Sequence, residues 1–464
     1  MKMQLAEIAH AVGAINDYEQ WAQVDVTSVA FDSRHLQPGG LFIPLTGEQD
    51  GHQFIQSAID HGAAATLWAQ DLATAPVDFP VIQVENSLTA LQTLARYYLS
   101  KINPRVVAVT GSNGKTTTKD MIAAILATQL NVTKTYANFN NEIGVPMTVL
   151  SMEPNTEVLV VEMGMDRPGQ LDFLSKLVTP DVAVVTMIGE AHIEFFGTRD
   201  KIADAKFEIT YGLSDDGAFV YDGDEPLLRD RVADLGQRQV TFGRQTDDDF
   251  YATSVADTAT STSFTTNQWP DVTFTLPMIG EYNVKNALAA LAVANIYRIR
   301  PENAQRALAD VPLTKNRAEW LTSTQGAAIL SDVYNSNPTA VREVLGAFSQ
   351  TPVTGRRLVV LGDMLELGDQ ADALHAGLAD ALTTGAFSRV YLVGPHMVAL
   401  QRALAQQAPE LPVTHFTTDQ LPALTTALQT TLTSDDQILL KGSHGIHLET
   451  VLAQLVETDS KTAK

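Results

Sequence analysis

No cysteine occurs in this 464-residue chain, so disulfides, thiolate zinc sites and thioester catalysis are excluded, and a reducing compartment is the natural setting. Positive charge is scarce: 31 Lys and Arg stand against 54 Asp and Glu, a formal charge of -23, and no basic tract appears. Nucleic acids and anionic membranes are bound through clustered cations, so neither is expected as a partner. Any anionic substrate must be met by a few local cations and metal ions. No apolar run approaches the roughly 18 residues of a membrane span. Glu7 interrupts MKMQLAEIAHAVGAIND where a signal peptide needs an unbroken apolar core. A cytoplasmic protein is expected, with monomer as the default state. GxSxG, HExxH and CxxC are all missing, which leaves covalent serine chemistry and zinc hydrolysis without support.

What the chain does have begins with TGSNGKTTTKD, which follows the apolar run 105–109 and opens a helical pattern that continues to about residue 127. Strand, glycine turn and helix together make a phosphate-binding loop. Gly111 and Gly114 let the backbone N–H groups of the turn, through Ser112 and Asn113, approach phosphate oxygens, and the helix N-terminus adds partial positive charge. Lys115 can reach the terminal phosphates, and the Thr116 hydroxyl can hold Mg2+. The usual P-loop spacing asks for glycine at 109, where this chain has Val109, so a tighter loop is expected.

A length of 464 residues, 45% of them hydrophobic, fits about three domains. Residues 1–103 read as a small α/β domain, with strands near 26–31, 41–44 and 81–84 around a helix at 51–62, and Asn103-Pro104 as a joint. Residues 104–312 alternate strands (106–109, 158–162, 182–187) with helices, the pattern of a parallel-sheet P-loop domain. From about 218 to 276 the polar alternation predicts antiparallel strands, and a buried helix follows at 286–299. Residues 313–464 predict a Rossmann-like third domain, with strands at 358–361, 390–393 and 438–441 and helices at 371–382, 397–407 and 448–457. The Thr-rich stretch 421–433 reads as a surface helix.

Glu162 ends an apolar strand and so stands at the carboxyl edge of a parallel sheet, where it can hold Mg2+ or simply cap a neighbouring helix. His192 follows the next strand along the same edge; a metal or phosphate role competes with an interfacial histidine bonded to backbone. Lys206, on a helical pattern with Ile202, Ala205 and Ile209, reads by itself as a solvated lysine. Asn138, Asn140 and Asn141 form an amide cluster suited to sugar hydroxyls and phosphate oxygens, though Asn-rich turns are also plain turns. Asp332, Tyr334, Asn335 and Asn337 make a polar loop shortly after Arg317, open to a binding or a structural role. Ser33 and Arg34 put a hydroxyl and a guanidinium at a strand end, a workable phosphate clamp.

Together these strings resemble the Mur ligases of peptidoglycan synthesis over nearly the whole chain, and among them the members that add D-alanyl-D-alanine to UDP-N-acetylmuramoyl-tripeptide. FDSRHLQPGGLFIPLTGEQDGHQFI is similar to their N-terminal uridine-nucleotide domain; TGSNGKTTTKD, NNEIGVP and VVEMGM to their central ATPase; SDVYNSNP, LGDMLELG and LLKGSHG to their C-terminal domain. The resemblance implies an ATP- and Mg2+-dependent ligase working through an acyl phosphate on small-molecule substrates, the acceptor being D-alanyl-D-alanine or a depsipeptide ending in D-lactate. It further implies that Lys115, Thr116 and Thr117 contact phosphates and Mg2+, and that Glu162 and His192 ligate the metal. Asn286, Arg317 and Asp332 would hold adenine, γ-phosphate and ribose, with Asn335 beside them; Ser33 and Arg34 would hold the uridine diphosphate end, and Asn138, Asn140 and Asn141 the substrate. Lys206 matches a lysine that can be carbamylated in this family and so help position Mg2+; Lys115, His192, Lys206 and Arg317 are the implied catalytic set. Two departures are visible: Tyr282 stands where the family usually has His, and His444 and His447 stand where basic or longer residues are common.

Overall fold

The computed structural model describes residues 1–312 and 314–456; the predicted domain start at 313 and helix end at 457 lie outside the described residues. The fold is α/β, built on three main sheets. The first sheet is fully parallel, with strands Ser28–Ala30, Gly40–Phe42, Ala65–Trp68 and Val81–Gln83 in chain order. The sequence reading missed Ala65–Trp68 and the long helix Ser87–Ile102 that follows the sheet. Asn86 caps that helix by accepting from Thr89 N at 2.9 Å, and Asn103 ends it in the left-handed conformation (φ 53°). Tyr98, buried on it, donates to the Met152 carbonyl at 2.8 Å and ties the first unit to the second. The predicted helix at 51–62 is a 3-10 turn, Gly51–Phe54, running into Ile55–Asp60.

The central sheet has nine strands. Val132–Lys134, Val158–Glu162, Arg105–Thr110, Val182–Val185, Ala218–Asp222 and Arg238–Gly243 lie side by side and parallel. Antiparallel pairing starts only between Phe250–Asp257 and Thr262–Thr266, not near 218 as the polar alternation suggested. The reason is burial: all five residues of Ala218–Asp222 are covered, the mark of a strand packed on both faces. The first strand shows how side-chain alternation divides the core. Val106 and Ala108 join a cluster that runs through all three sheets, while Val107 and Val109 face a second one with the Ala-rich helix Glu281–Ile296. Each fully buried Val stabilises by about 1.5–3 kcal/mol. Small residues let that helix pack closely on Lys115–Leu126, the helix after the phosphate loop. It begins at Glu281, five residues before the predicted start, and so brings Tyr282, Asn283 and Asn286 to the sheet's carboxyl edge.

The third sheet runs Glu319–Thr322, Ala328–Asp332, Gln437–Lys441, Arg357–Gly362, Arg389–Val393, Val413–Phe416, all parallel except the first pair. Helices Met397–Gln407, Leu421–Thr431 and Leu448–Leu455 follow the sequence expectation, whereas the helix expected at 371–382 is broken into Ala371–Ala376 and Ala379–Thr384. No helix among the described residues is long and apolar enough to cross a membrane.

Candidate active site

The carboxyl ends of the central strands and of the third sheet face one cavity of about 870 Å³. Its floor is the phosphate loop. Val109 is buried and pairs in register with Glu162, so the strand continues to Thr110 and the turn starts at Gly111. The missing glycine at 109 is thus a strand position, which explains the tighter spacing. A Cβ on Gly111 would stand 1.8 Å from Thr186 Oγ1, and one on Gly114, at φ +78°, would stand 2.2 Å from Asn286 Oδ1. Neither place admits a side chain.

Lys115 folds back over its own loop, donating to the carbonyls of Gly111 (2.8 Å) and Ser112 (3.3 Å). Burial draws its ammonium down to about 8, with Glu162 opposing and Arg317 adding to the fall. Glu162 is almost fully buried; its carboxylate accepts from the Thr116 hydroxyl at 2.8 Å and from the Asn140 amide at 2.9 Å. Lys206, on Arg199–Phe207, is 1% exposed, which corrects the bare-sequence reading of a solvated lysine. Burial, aided by the neighbouring charge of Lys115, drives its pKa well below the ordinary lysine value. The signal was present: Ile202, Lys206 and Ile209 fall at i, i+4 and i+7, one helix face.

Ser112, Asn113, Gly114, Lys115, Thr117 and Glu162 line the cavity with Asn140, Asn141, His192 and Asn286; from the third unit come Arg317, Asp332 and Asn335. Gly111, Thr116 and Lys206 lie outside that lining. Asn138 is exposed and also outside it, and Asn141 spends its carbonyl oxygen on the N–H groups of Ile143 and Gly144 (3.2 and 2.9 Å), starting the helix Gly144–Leu150. Ser33 and Arg34 sit apart on a single 3-10 turn. Arg34 is clamped bidentately by Asp32 at 2.9 and 2.7 Å, holding that carboxyl far below the usual range. Phe31 beside them meets Phe139 of the Asn-rich loop edge to face at 6.4 Å, so the two substrate elements predicted from sequence are neighbours.

Sequence reasoning missed several groups. Lys441, 2% exposed, ends the strand Gln437–Lys441 and donates to Asp332 at 2.5 Å and to the Asn335 carbonyl at 2.9 Å. Its signal was a lysine closing an apolar strand. Tyr334, of the polar loop expected from sequence, holds the Arg317 guanidinium over its ring at 4.1 Å to the centre, and the His444 ring lies 6.0 Å away. Glu366, from LGDMLELG, brings Oε2 to 2.5 Å from His192 Nδ1, off the ring N–H direction; the contact with His192 lowers the Glu366 carboxyl pKa against burial.

The donors near the phosphate loop are hard oxygens, one carboxylate and one hydroxyl in contact, with an imidazole on the same cavity wall. Among the described residues no three His, Asp or Glu converge. Mg2+ suits such a site, because it keeps waters and phosphate oxygens as most of its ligands.

Three family profiles match the chain: "Mur ligase family, catalytic domain" over residues 25–99, "Mur ligase middle domain" over 109–294, and "Mur ligase, glutamate ligase domain" over 316–444. A UDP-N-acetylmuramoyl-tripeptide--D-alanyl-D-alanine ligase of Bacillus subtilis is 39% identical over 459 residues, 99% of each chain. The crystal structure of MurF from Acinetobacter baumannii superposes with a TM-score of 0.86 at 29% identity, covering 98% of this chain and 99% of that one. MurF ligase from Thermotoga maritima in complex with ADP has a TM-score of 0.79 at 28% identity, over 92% and 97%.

Proposed function

This chain belongs to the Mur ligase family, and from that footing we propose that it joins D-alanyl-D-alanine to UDP-N-acetylmuramoyl-tripeptide, consuming ATP and releasing ADP and phosphate, in the making of cell-wall precursors. The observation that carries the reading is the single cavity walled on one side by the phosphate loop and Glu162 and on the other by Arg317 and Asp332.

A carboxylate resists amines, since its charge repels nucleophiles and oxide is a poor leaving group. In-line attack by the tripeptide carboxylate on the γ-phosphorus forms a P–O bond, breaks the bond to ADP and yields an acyl phosphate. The dipeptide amine then attacks the acyl carbon; the C–O bond to phosphate breaks and the amine loses its proton. Lys115 and Arg317 neutralise charge on the transferring group, and Asp332, held by Lys441, presents acceptors for ribose hydroxyls. Glu162, Thr116 and His192 would hold Mg2+, which when bound neutralises phosphate oxygens. Bringing three reactants together supports effective molarities of about 10^5 to 10^8 M.

Lys206 as a carbamate belongs to this proposal, because only a neutral amine adds to carbon dioxide and burial favours that form. Carbon-13 bicarbonate is expected to label the wild-type chain and not Lys206→Arg; an unlabelled wild type overturns that part. The whole reading is tested by ADP release, which is expected to require both muropeptide and dipeptide. Full turnover with neither would overturn it.

A further inference from the structure

The structure assigns Asn113 and Asn337 as a positioning pair that registers the third domain on the phosphate loop. The inference rests on the reading of the cavity as a site of phosphoryl transfer. The two residues are 224 positions apart and their side-chain amides bond reciprocally: Asn337 Nδ2 donates to Asn113 Oδ1 at 2.7 Å, and Asn113 Nδ2 donates to Asn337 Oδ1 at 3.2 Å. Asn337 is 1% exposed. Its oxygen has a second task, accepting from Ala340 N at 3.0 Å as N-cap of the helix Pro338–Gln350. The next turn is pinned to the central domain as well, because Glu190 Oε2 accepts from the Thr339 hydroxyl at 2.7 Å.

Two helix N-termini, Lys115–Leu126 and Pro338–Gln350, therefore meet at this pair on the cavity rim. Each carries about half a positive charge, and Lys115, Arg317 and Lys441 line the same cavity. Lys441 is already paired with Asp332, and Glu162 stands near Lys115, which leaves Arg317 and the two helix N-termini facing the space a nucleotide phosphate would fill. A neutral amide pair sets the register of the two elements without adding charge of either sign, so the phosphate supplies attraction and the amides supply the fit. Asn113 is suited to this because its peptide is fixed on the other side, where its carbonyl accepts from the Thr186 hydroxyl at 2.5 Å. A shift of the loop on nucleotide binding reaches, through the Asn113 side chain and beside the Glu190–Thr339 contact, the helix that carries Ala340, Glu343 and Val344 into the cavity wall. Asn337 thus acts on the reaction through Asn113 and touches no reacting atom.

The discriminating variant is Asn337→Ser. Serine is as good an N-cap as asparagine but is too short to reach Asn113, so the helix keeps its cap while the pair is lost. In the full-length chain we expect Asn337→Ser to melt with the wild type, yet to lose about tenfold in turnover. Asn113→Ala is expected to lose a similar factor, and the double variant no more than the worse single one, since both remove the same contact. Asn337→Asp keeps the cap but sets a second carboxylate oxygen against Asn113 Oδ1 where a donor stood, and is expected to lose at least as much as Asn337→Ser. Losses that multiply in the double variant, or Asn337→Ser turning over at the wild-type rate, would overturn the assignment. Small-angle scattering separates this failure from failure of the ligase reading, because it needs no chemistry. Wild type is expected to compact on adding AMP-PNP with Mg2+ and Asn337→Ser not to; equal compaction sinks the positioning pair even if ligation is later confirmed, and a catalytically silent chain that shows the difference keeps it.

Discussion

Lys115 is held over the loop it serves, with its ammonium on the carbonyls of Gly111 and Ser112. Phosphate oxygens are better partners for a buried cation than two carbonyl dipoles, so nucleotide is expected to draw it away. Lys115→Ala should then cost at least about 10^2-fold in ADP formation with both acceptors present, the scale of losing one preorganised charge-stabilising donor. An unchanged rate would contradict its role. Residues such as Lys115 and Glu162 were legible because strand, turn and helix fix where they stand. Lys441 and Glu366 were not, because their importance lies in partners, Asp332 and His192, that only the folded chain brings near.

Two elements permit tests by geometry alone. Gly114 caps the phosphate-loop helix at φ +78°, with no room for a Cβ beneath Asn286. Gly114→Ala combines a left-handed backbone cost of about 1–2 kcal/mol with a displaced Asn286, so calorimetry should show ATP affinity down about tenfold or more and a lower melting temperature. Tight wild-type binding would refute the close approach. In the third sheet, Asp436 is buried before the strand Gln437–Lys441. Burial alone would raise its pKa, but Arg356 and the backbone donors of Arg356 and Thr433 outweigh it and hold the carboxyl at about 2. A folded pKa below the unfolded value of about 3.9 adds stability above that pH, and the gain is lost as pH falls from about 4 to about 2. Melting of the wild type should fall across that window, more steeply than for Asp436→Asn. Parallel slopes would show that the Arg356 pair contributes nothing.

Elements with continuous apolar runs were readable from sequence, as at 158–162 and 438–441, because strands buried on both faces leave no alternation to misread. The polar stretch after 218 misled, since Ala218–Asp222 carries its own buried Tyr221 and Asp222, the latter paired with Lys285 at 2.7 Å. Ser87–Ile102 had its signals, an Asn cap and Leu91, Leu94, Ala95 and Tyr98 on one face, but no motif drew notice to it.

At the scale of the molecule, three sheets share one apolar cluster, and the site is the seam where two of them present their carboxyl edges. The α/β class was legible in the alternation of strands and helices; the seam was not, since Asn113 with Asn337, Glu190 with Thr339 and His192 with Glu366 are pairings no local pattern encodes. The central claim is that a carboxylate is made reactive by a phosphoryl group within that seam. It is tested most directly with UDP-muramoyl-tripeptide whose terminal carboxylate carries oxygen-18 on both oxygens, followed by mass spectrometry of the phosphate released. One labelled oxygen per phosphate, matched to each amide formed, is the expected result; phosphate that leaves without label while amide accumulates would contradict the account.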